Sequence, residues 1–249
     1  MDRTAVATAV GAPPVGRAPD LRPLVTCTGV ARTFGTGDTA VVAVYDVTLT
    51  VPRAARVALT GPSGSGKSTL LHMMAGLDAP TAGVLRWPGL GGHPLAHPGR
   101  VGLVFQGPSL LPALTVAENV ALALLLADAT PTEATAAAQA ALELLGIADL
   151  HASLPEELSG GQAQRAAIAR VLAARPSLIL ADEPTGQLDH ATAAGVIDVL
   201  LDTSDELDAA LVISTHDPVI AARVSERWTM QDGTLRQEPG TGIRTAAER

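Results

Sequence analysis

The chain has 249 residues, a formal net charge of −8 at pH 7 and 47% hydrophobic residues. That is enough apolar matter for one large core or two small ones, and the acidic balance argues against a broad nucleic-acid footprint. A single cysteine, Cys27, excludes an internal disulfide and reads as a small core residue, and the six histidines form no metal-spaced cluster with it.

Residues 1–22 are rich in Ala, Pro, Gly and Thr and read as a disordered tail. Asp2 and Arg3 lead through Thr4–Val10 into Pro13-Pro14, which is not a signal-peptide pattern. Leu24–Val30 and Val41–Val51 read as strands around a turn at Gly35–Asp38. Arg56–Thr60 is a short buried strand, and Leu70, Leu71, Met73 and Met74 mark the apolar face of a following helix. Gly83–Trp87 reads as a strand, Trp87–Gly99 as a Gly/Pro/His loop and Arg100–Phe105 as a strand. His93 and His97 in that loop read as solvated.

Two helices then announce their starts. Thr115 with Glu118, and Thr130 with Pro131 and Glu133, have the spacing of a capping hydroxyl and a returning carboxylate. The second helix is alanine-rich and should end near Gly146. The longest apolar run, Val120–Ala127, lies between Asn119 and Asp128, far short of the roughly 20 residues that a spanning helix needs. Ser177–Ala181 and Ala209–Ser214 are further buried strands, each leading to a helix. The acidic stretch Asp202, Asp205, Glu206 and Asp208 reads as a solvated loop, and Asp232-Gly233 as a final turn. Residues 238–249 read as a loose tail. Alternating strands and helices predict an α/β domain with a largely parallel sheet.

Between the strand at Arg56–Thr60 and its helix stands Gly61-Pro62-Ser63-Gly64-Ser65-Gly66-Lys67-Ser68-Thr69. Strand, glycine-rich loop and helix is the context of a phosphate cradle. Glycines let backbone N–H groups converge on phosphate, and the helix N-terminus adds its partial positive charge. Lys67 should reach the β- and γ-phosphates, and the Ser68 hydroxyl should ligate Mg²⁺. The apolar strand Leu178–Ala181 ends in Asp182 and Glu183. Strand alternation sends these two carboxylates opposite ways, suiting Asp182 to the Mg²⁺ shell and Glu183 to polarising an attacking water.

Leu158-Ser159-Gly160-Gly161-Gln162 opens another helix with small residues and a hydroxyl. Such a start exposes backbone N–H groups and the positive end of a dipole, and nothing else within one chain asks for it. Together with the phosphate loop, this motif resembles the ATP-binding subunit of ABC transporters, over roughly Leu24–Gln237. The resemblance implies the ABC ATPase fold of P-loop NTPases: a RecA-like core with a parallel sheet, an antiparallel β subdomain, and an inserted helical subdomain at about 108–174, within a domain spanning 23–237. It implies that Ser159, Gly160, Gly161 and Gln162 clamp the γ-phosphate of an ATP held by the opposite subunit of a head-to-tail dimer. It also carries His216 as the residue contacting γ-phosphate and water, Gln106 as the reporter touching Mg²⁺ and water, Asp189 in the loop that crosses the dimer axis, and Phe34 as the ring stacking on adenine.

Ala181–Asp189 and Gly76-Leu77-Asp78 are similar to the lipoprotein-releasing and macrolide-export type of ABC ATPase. The chain departs from that type at Gln187, where Asn is usual, and in a shorter connection from Gly83 to Arg100. The implied function is ATP hydrolysis that drives a separate transmembrane permease, by a homodimer or with a sister ATPase. The location implied is the cytoplasmic face of the membrane, reached through the permease, with no direct nucleic-acid contact. A non-transport ABC ATPase of DNA repair, translation or cell division would keep the chemistry and change the partner. Against it stand the acidic charge, the single nucleotide motif and the lack of zinc-type Cys pairs. An importer ATPase is a third reading.

Overall fold

The structure is a computed structural model that describes residues 21–239; the two expected tails lie outside that range except for residues 21–22 and 238–239, and Glu238 and Pro239 end the last strand rather than a loose tail. Two sheets organise the chain. The smaller is antiparallel and contains β1 (Val25–Phe34), β2 (Val41–Val51) and β4 (Ala82–Arg86) in the order β2-β1-β4. The larger has six strands in the order β5-β6-β7-β3-β8-β9. These are β3 (Arg56–Thr60), β5 (Val101–Val104), β6 (Leu178–Asp182), β7 (Ala210–Ser214), β8 (Glu226–Gln231) and β9 (Thr234–Pro239). Pairing is parallel except between β8 and β9, which form a hairpin through Asp232-Gly233. The expected turn is therefore a hairpin within the large sheet.

The helices are α1 (Lys67–Met74), α2 (Val116–Leu125), α3 (Pro131–Leu144), α4 (Gly160–Ala173), α5 (His190–Glu206) and the short α6 (Pro218–Ala221). Both capping boxes read from the sequence form: Thr115 with Glu118 on α2, and Thr130 with Glu133 on α3. The acidic stretch is helical through Glu206, and only Asp208 lies in the turn that follows. Leu200, Thr203 and Ser204 carry the buried face of α5 as far as its last turn, and Asp205 pairs with Arg56. Period, not charge, decides that segment.

Strands β6 and β7 are buried along their whole length, as parallel strands covered on both faces must be. Their period of two divides the core. Leu178, Leu180, Ala210 and Val212 pack with α1 residues Leu70, Leu71, Met73 and Met74. Ile179, Ala181, Leu211 and Ile213 pack on the other side with residues of α2, α3, α4 and α5. The alanines of α3 and α4 let those helices approach closely. Cys27 lies in the core on the β1 side, where burial pushes its thiol up to about 12. Among the described residues no helix is long and apolar enough to cross a membrane.

Candidate nucleotide site

The glycine-rich loop leaves β3 at Thr60 and enters α1 at Lys67. Two of its glycines are required by close backbone approach. A Cβ on Gly61 would lie 2.1 Å from the Met230 carbonyl oxygen, and one on Gly66 would lie 2.0 Å from that of Ala43. Both have positive φ, 142° and 101°. The loop is thus wedged between β8 and β2. The β8–β9 turn braces it: Gly233 N–H donates to the Ser65 carbonyl at 3.2 Å, and Tyr45 N–H donates to the Gly233 carbonyl at 2.8 Å. Lys67 is 6% exposed, and its ammonium donates to the Gly61 and Pro62 carbonyls, both at 2.9 Å. The buried Ser65 hydroxyl has no partner.

A cavity of about 180 Å³ opens on this loop. Ser63, Gly64, Gly66, Lys67, Ser68 and Thr69 form one wall, and Ala43, Gln106 and Glu183 complete it. Behind Glu183 lie the carboxyl ends of β6 and β7. Asp182 is 4% exposed and accepts a hydrogen bond from the Ser214 hydroxyl at 2.5 Å. Glu183 stands at φ 44°, an uncommon position for a non-glycine residue. Its carboxylate accepts from the Gln106 amide at 3.3 Å, and its other oxygen lies 3.7 Å from His216 Nδ1. Gln106, Glu183 and His216, read separately from three parts of the sequence, therefore converge at one edge of the cavity.

Phe34 ends β1 with 42% of its surface exposed. The Arg32 guanidinium sits 4.5 Å from the centre of its ring and is itself held by Asp78 at 2.7 and 3.0 Å. One face of the ring thus carries a fixed cation.

The second motif lies elsewhere. Ser159 caps α4: Gln162 N–H donates to its hydroxyl at 3.3 Å, and Ser159 N–H donates to Gln162 Oε1 at 2.8 Å. Ser159 and Gly160 are exposed, and no residue of Ser159–Gln162 lines the loop cavity. The two glycines face the loop that follows β6. A Cβ on Gly160 would meet Gln187 Oε1 at 3.2 Å, and one on Gly161 would meet Leu188 Cδ2 at the same distance. Asp189 closes that loop as the cap of α5, accepting from the N–H groups of Ala191 and Thr192 and the Thr192 hydroxyl. The bonds from Thr192, chiefly that from its hydroxyl, hold the Asp189 carboxyl below its ordinary range.

Several contributors escape a reading by motif. Gln164, 1% exposed on α4, donates to the Phe105 carbonyl at 3.2 Å. Arg170, on the same helix, donates to the Ser109 carbonyl at 2.7 Å and to its hydroxyl. The segment carrying Gln106 is therefore held on both sides by the helix that Ser159 begins. Asn119 holds the far end, donating to Leu111, Leu114 and Thr115 carbonyls and accepting from Leu111 N–H. The one available signal is polar residues inside apolar runs, each of which needs a buried partner.

Residues 44–186 match the sequence family described as ABC transporter. The chain is 39% identical over 219 residues to the lipoprotein-releasing system ATP-binding protein LolD of Legionella pneumophila strain Paris, covering 85% of this chain and 96% of that protein. It is 37% identical over 226 residues to the LolD of Bordetella pertussis strain Tohama I, covering 88% and 98%. Among solved structures it is similar to a dimeric ATP-binding cassette in a post-hydrolysis state bound to ADP and Pi, with a TM-score of 0.82 and 32% identity over 88% of this chain and all of that one. A dimeric bacterial ABC transporter cassette matches with a TM-score of 0.81 at 32% identity. The sheets, the loop and the near-complete coverage agree: the chain belongs to the ABC transporter family, as an ATP-binding and ATP-hydrolysing subunit with the ABC ATPase fold.

Proposed function

We propose that two copies of this chain, or one copy and a sister ATPase, close head-to-tail around two ATP molecules and drive a permease of the lipoprotein-releasing or efflux export type. The observation that carries this reading is the division of the site. Lys67, Gln106 and Glu183 line one cavity, Asp182 precedes Glu183 on the same strand end and His216 stands 3.7 Å from the Glu183 carboxylate, whereas Ser159–Gln162 sit outside it with an exposed helix start. A helix N-terminus of that kind is suited to an anion supplied from outside the chain. The relatives named as lipoprotein-releasing ATP-binding proteins support the export class.

In the proposed site the loop N–H groups and Lys67 hold the β- and γ-phosphates, which requires the Lys67 ammonium to leave the Gly61 and Pro62 carbonyls. The Ser68 hydroxyl, the Asp182 carboxylate and the Gln106 amide oxygen are hard donors of the type Mg²⁺ takes, and three of them leave room for phosphate oxygens and water. Mg²⁺, when bound there, neutralises charge on the β- and γ-phosphates. Glu183 polarises the attacking water, and His216 beside it orients that water toward the γ-phosphate. Phe34 offers its free face to the adenine ring. In the closed dimer Ser159 and the N–H groups of Gly160 and Gly161 meet the γ-phosphate bound by the partner. Residues 23–237 act as one ATP-binding domain, with about 108–174 as its helical subdomain facing the permease, on the cytoplasmic side of the membrane.

The test is co-purification of the Glu183→Gln variant, held in ATP, from native membranes, with bound polypeptides identified by mass spectrometry. A polytopic membrane protein with a large extracytoplasmic domain is the expected partner. A soluble ribosomal or nucleic-acid partner in its place sinks the transport assignment.

A further inference from the structure

We propose that Ser214 is a positioning residue for ATP hydrolysis, setting the geometry of Asp182 and Glu183 together. This rests on the roles proposed above for those two carboxylates. Ser214 ends the apolar run Ala210-Leu211-Val212-Ile213 on β7 and is fully buried. Burial alone favours another aliphatic residue there, because a buried hydroxyl is costly unless it is bonded. In register Ser214 stands opposite Asp182 on β6 and Leu59 on β3, the last paired position before the catalytic loops. Asp182 shares its strand face with Leu178 and Leu180, and Ser214 shares its own with Ala210 and Val212, the side that packs on α1.

A hydroxyl has one proton to give. An N–H group cannot accept it and a carboxylate can, so the directions are determined. Glu183 N–H donates to Ser214 Oγ at 3.0 Å, and Ser214 O–H donates to Asp182 Oδ1 at 2.5 Å. The chain of bonds has two effects. It ties down one oxygen of Asp182, leaving Oδ2 as the oxygen available to a cation. It also helps hold the backbone of Glu183 at φ 44°, with the Ser214 carbonyl accepting the same N–H at 3.2 Å. From that backbone the Glu183 carboxylate reaches Gln106 and His216. One hydroxyl thus supports both the cation ligand and the water activator, as outer groups do for ligands of metal sites.

The experiment compares Ser214→Ala with Ser214→Thr, which keeps the hydroxyl on a strand. Four quantities are read: kcat, the Mg²⁺ concentration for half-maximal turnover, Mg²⁺-free ATP affinity, and hydrogen exchange of the Glu183 amide in the nucleotide-free protein. Ser214→Ala is expected to exchange faster at Glu183 and to lose about 10-fold or more in Mg²⁺ sensitivity or kcat, with Mg²⁺-free ATP affinity unchanged. Ser214→Thr restores all of these. Unchanged exchange and Mg²⁺ dependence in Ser214→Ala overturn the proposal. So does an equal loss of ATP binding in both variants, which means only packing was disturbed. Asp182→Asn and Glu183→Gln serve as controls. If they keep full turnover, the reading of the carboxylates has failed; if they are inactive while Ser214→Ala is normal, only the role of Ser214 has.

Discussion

The carboxyl ends of β6 and β7 and the start of α4 handle polar groups in opposite ways. At the strand ends Asp182 and Ser214 are buried and bonded to each other, and Glu183 is bonded to Ser214 at the end of β7 and to Gln106 in the loop after β5. At the start of α4 the capping bonds are local, and Ser159 and Gly160 face solvent. The first arrangement is complete within one chain, because neighbouring strands place its members against each other. The second satisfies the helix yet leaves its first turn open to something brought from outside. Helix N-termini retain N–H groups without intrahelical acceptors, so openness there is an available binding surface.

The largest expected effect breaks the strand-end half alone. Glu183→Gln should lower turnover by about 10²–10⁴-fold while leaving ATP binding intact, and should elute as a dimer in ATP on size-exclusion chromatography. A variant that stays monomeric there removes the closed dimer from the account of the isolated chain. The next test asks whether the halves really come from different copies. Lys67→Ala and Ser159→Arg should each be inactive alone, yet their equimolar mixture should recover on the order of a quarter of wild-type turnover, since half the dimers are mixed and each holds one intact composite site. A mixture with no activity argues that both motifs act within one chain.

Gly160→Ala sharpens the contrast more gently. Its Cβ would press on the flexible end of Gln187, 3.2 Å away, not on backbone. Alanine also suits a helix better than glycine, so thermal stability of the monomer should not fall, while ATP-driven dimerisation should weaken several-fold by light scattering. The mildest effect concerns pH. Hydrogen bonds from Thr115 and Thr130 lower the carboxyl groups of Glu118 and Glu133 from the ordinary value of 4.5. A depressed folded value adds stability above the unfolded value and loses it as pH falls through the folded one. Thr130→Ala should therefore melt a few degrees below wild type at neutral pH, and the gap should narrow below about pH 4.5. Circular dichroism melting curves across that range will show it; a gap independent of pH assigns the loss to the hydroxyl alone.

Much of the site was readable because its parts are contiguous and lie at element ends. Gly61–Thr69 marks itself by composition, Asp182-Glu183 by ending an apolar run, and Ser159–Gln162 by the capping spacing of small residues. The capping pairs on α2 and α3 were legible for the same reason: they act within one turn. What escaped was whatever depends on pairing across the fold. Trp228 and Met230 alternate inward on β8, but the hairpin they build with β9 was seen only as a turn. The charges of Asp202, Asp205 and Glu206 suggest a loop, whereas Leu200 and Ser204 carry the buried face of a helix that runs to Glu206. Gln164 and Ser214 are single polar residues in apolar surroundings, ordinary until their neighbours are known.

The sequence by itself therefore determined the glycine-rich loop between strand and helix, the paired carboxylates at a strand end, the capped start of α4 and the alternating α/β order, because each is written in local spacing. Only the tertiary structure decided that Gln106, Glu183 and His216 meet, that Gly61 and Gly66 are wedged against β8 and β2, and that Ser159–Gln162 stand apart from them. Those facts depend on which strands pair and in what register. Such pairing is stabilised by contacts between residues far apart in the chain, and no local pattern records it.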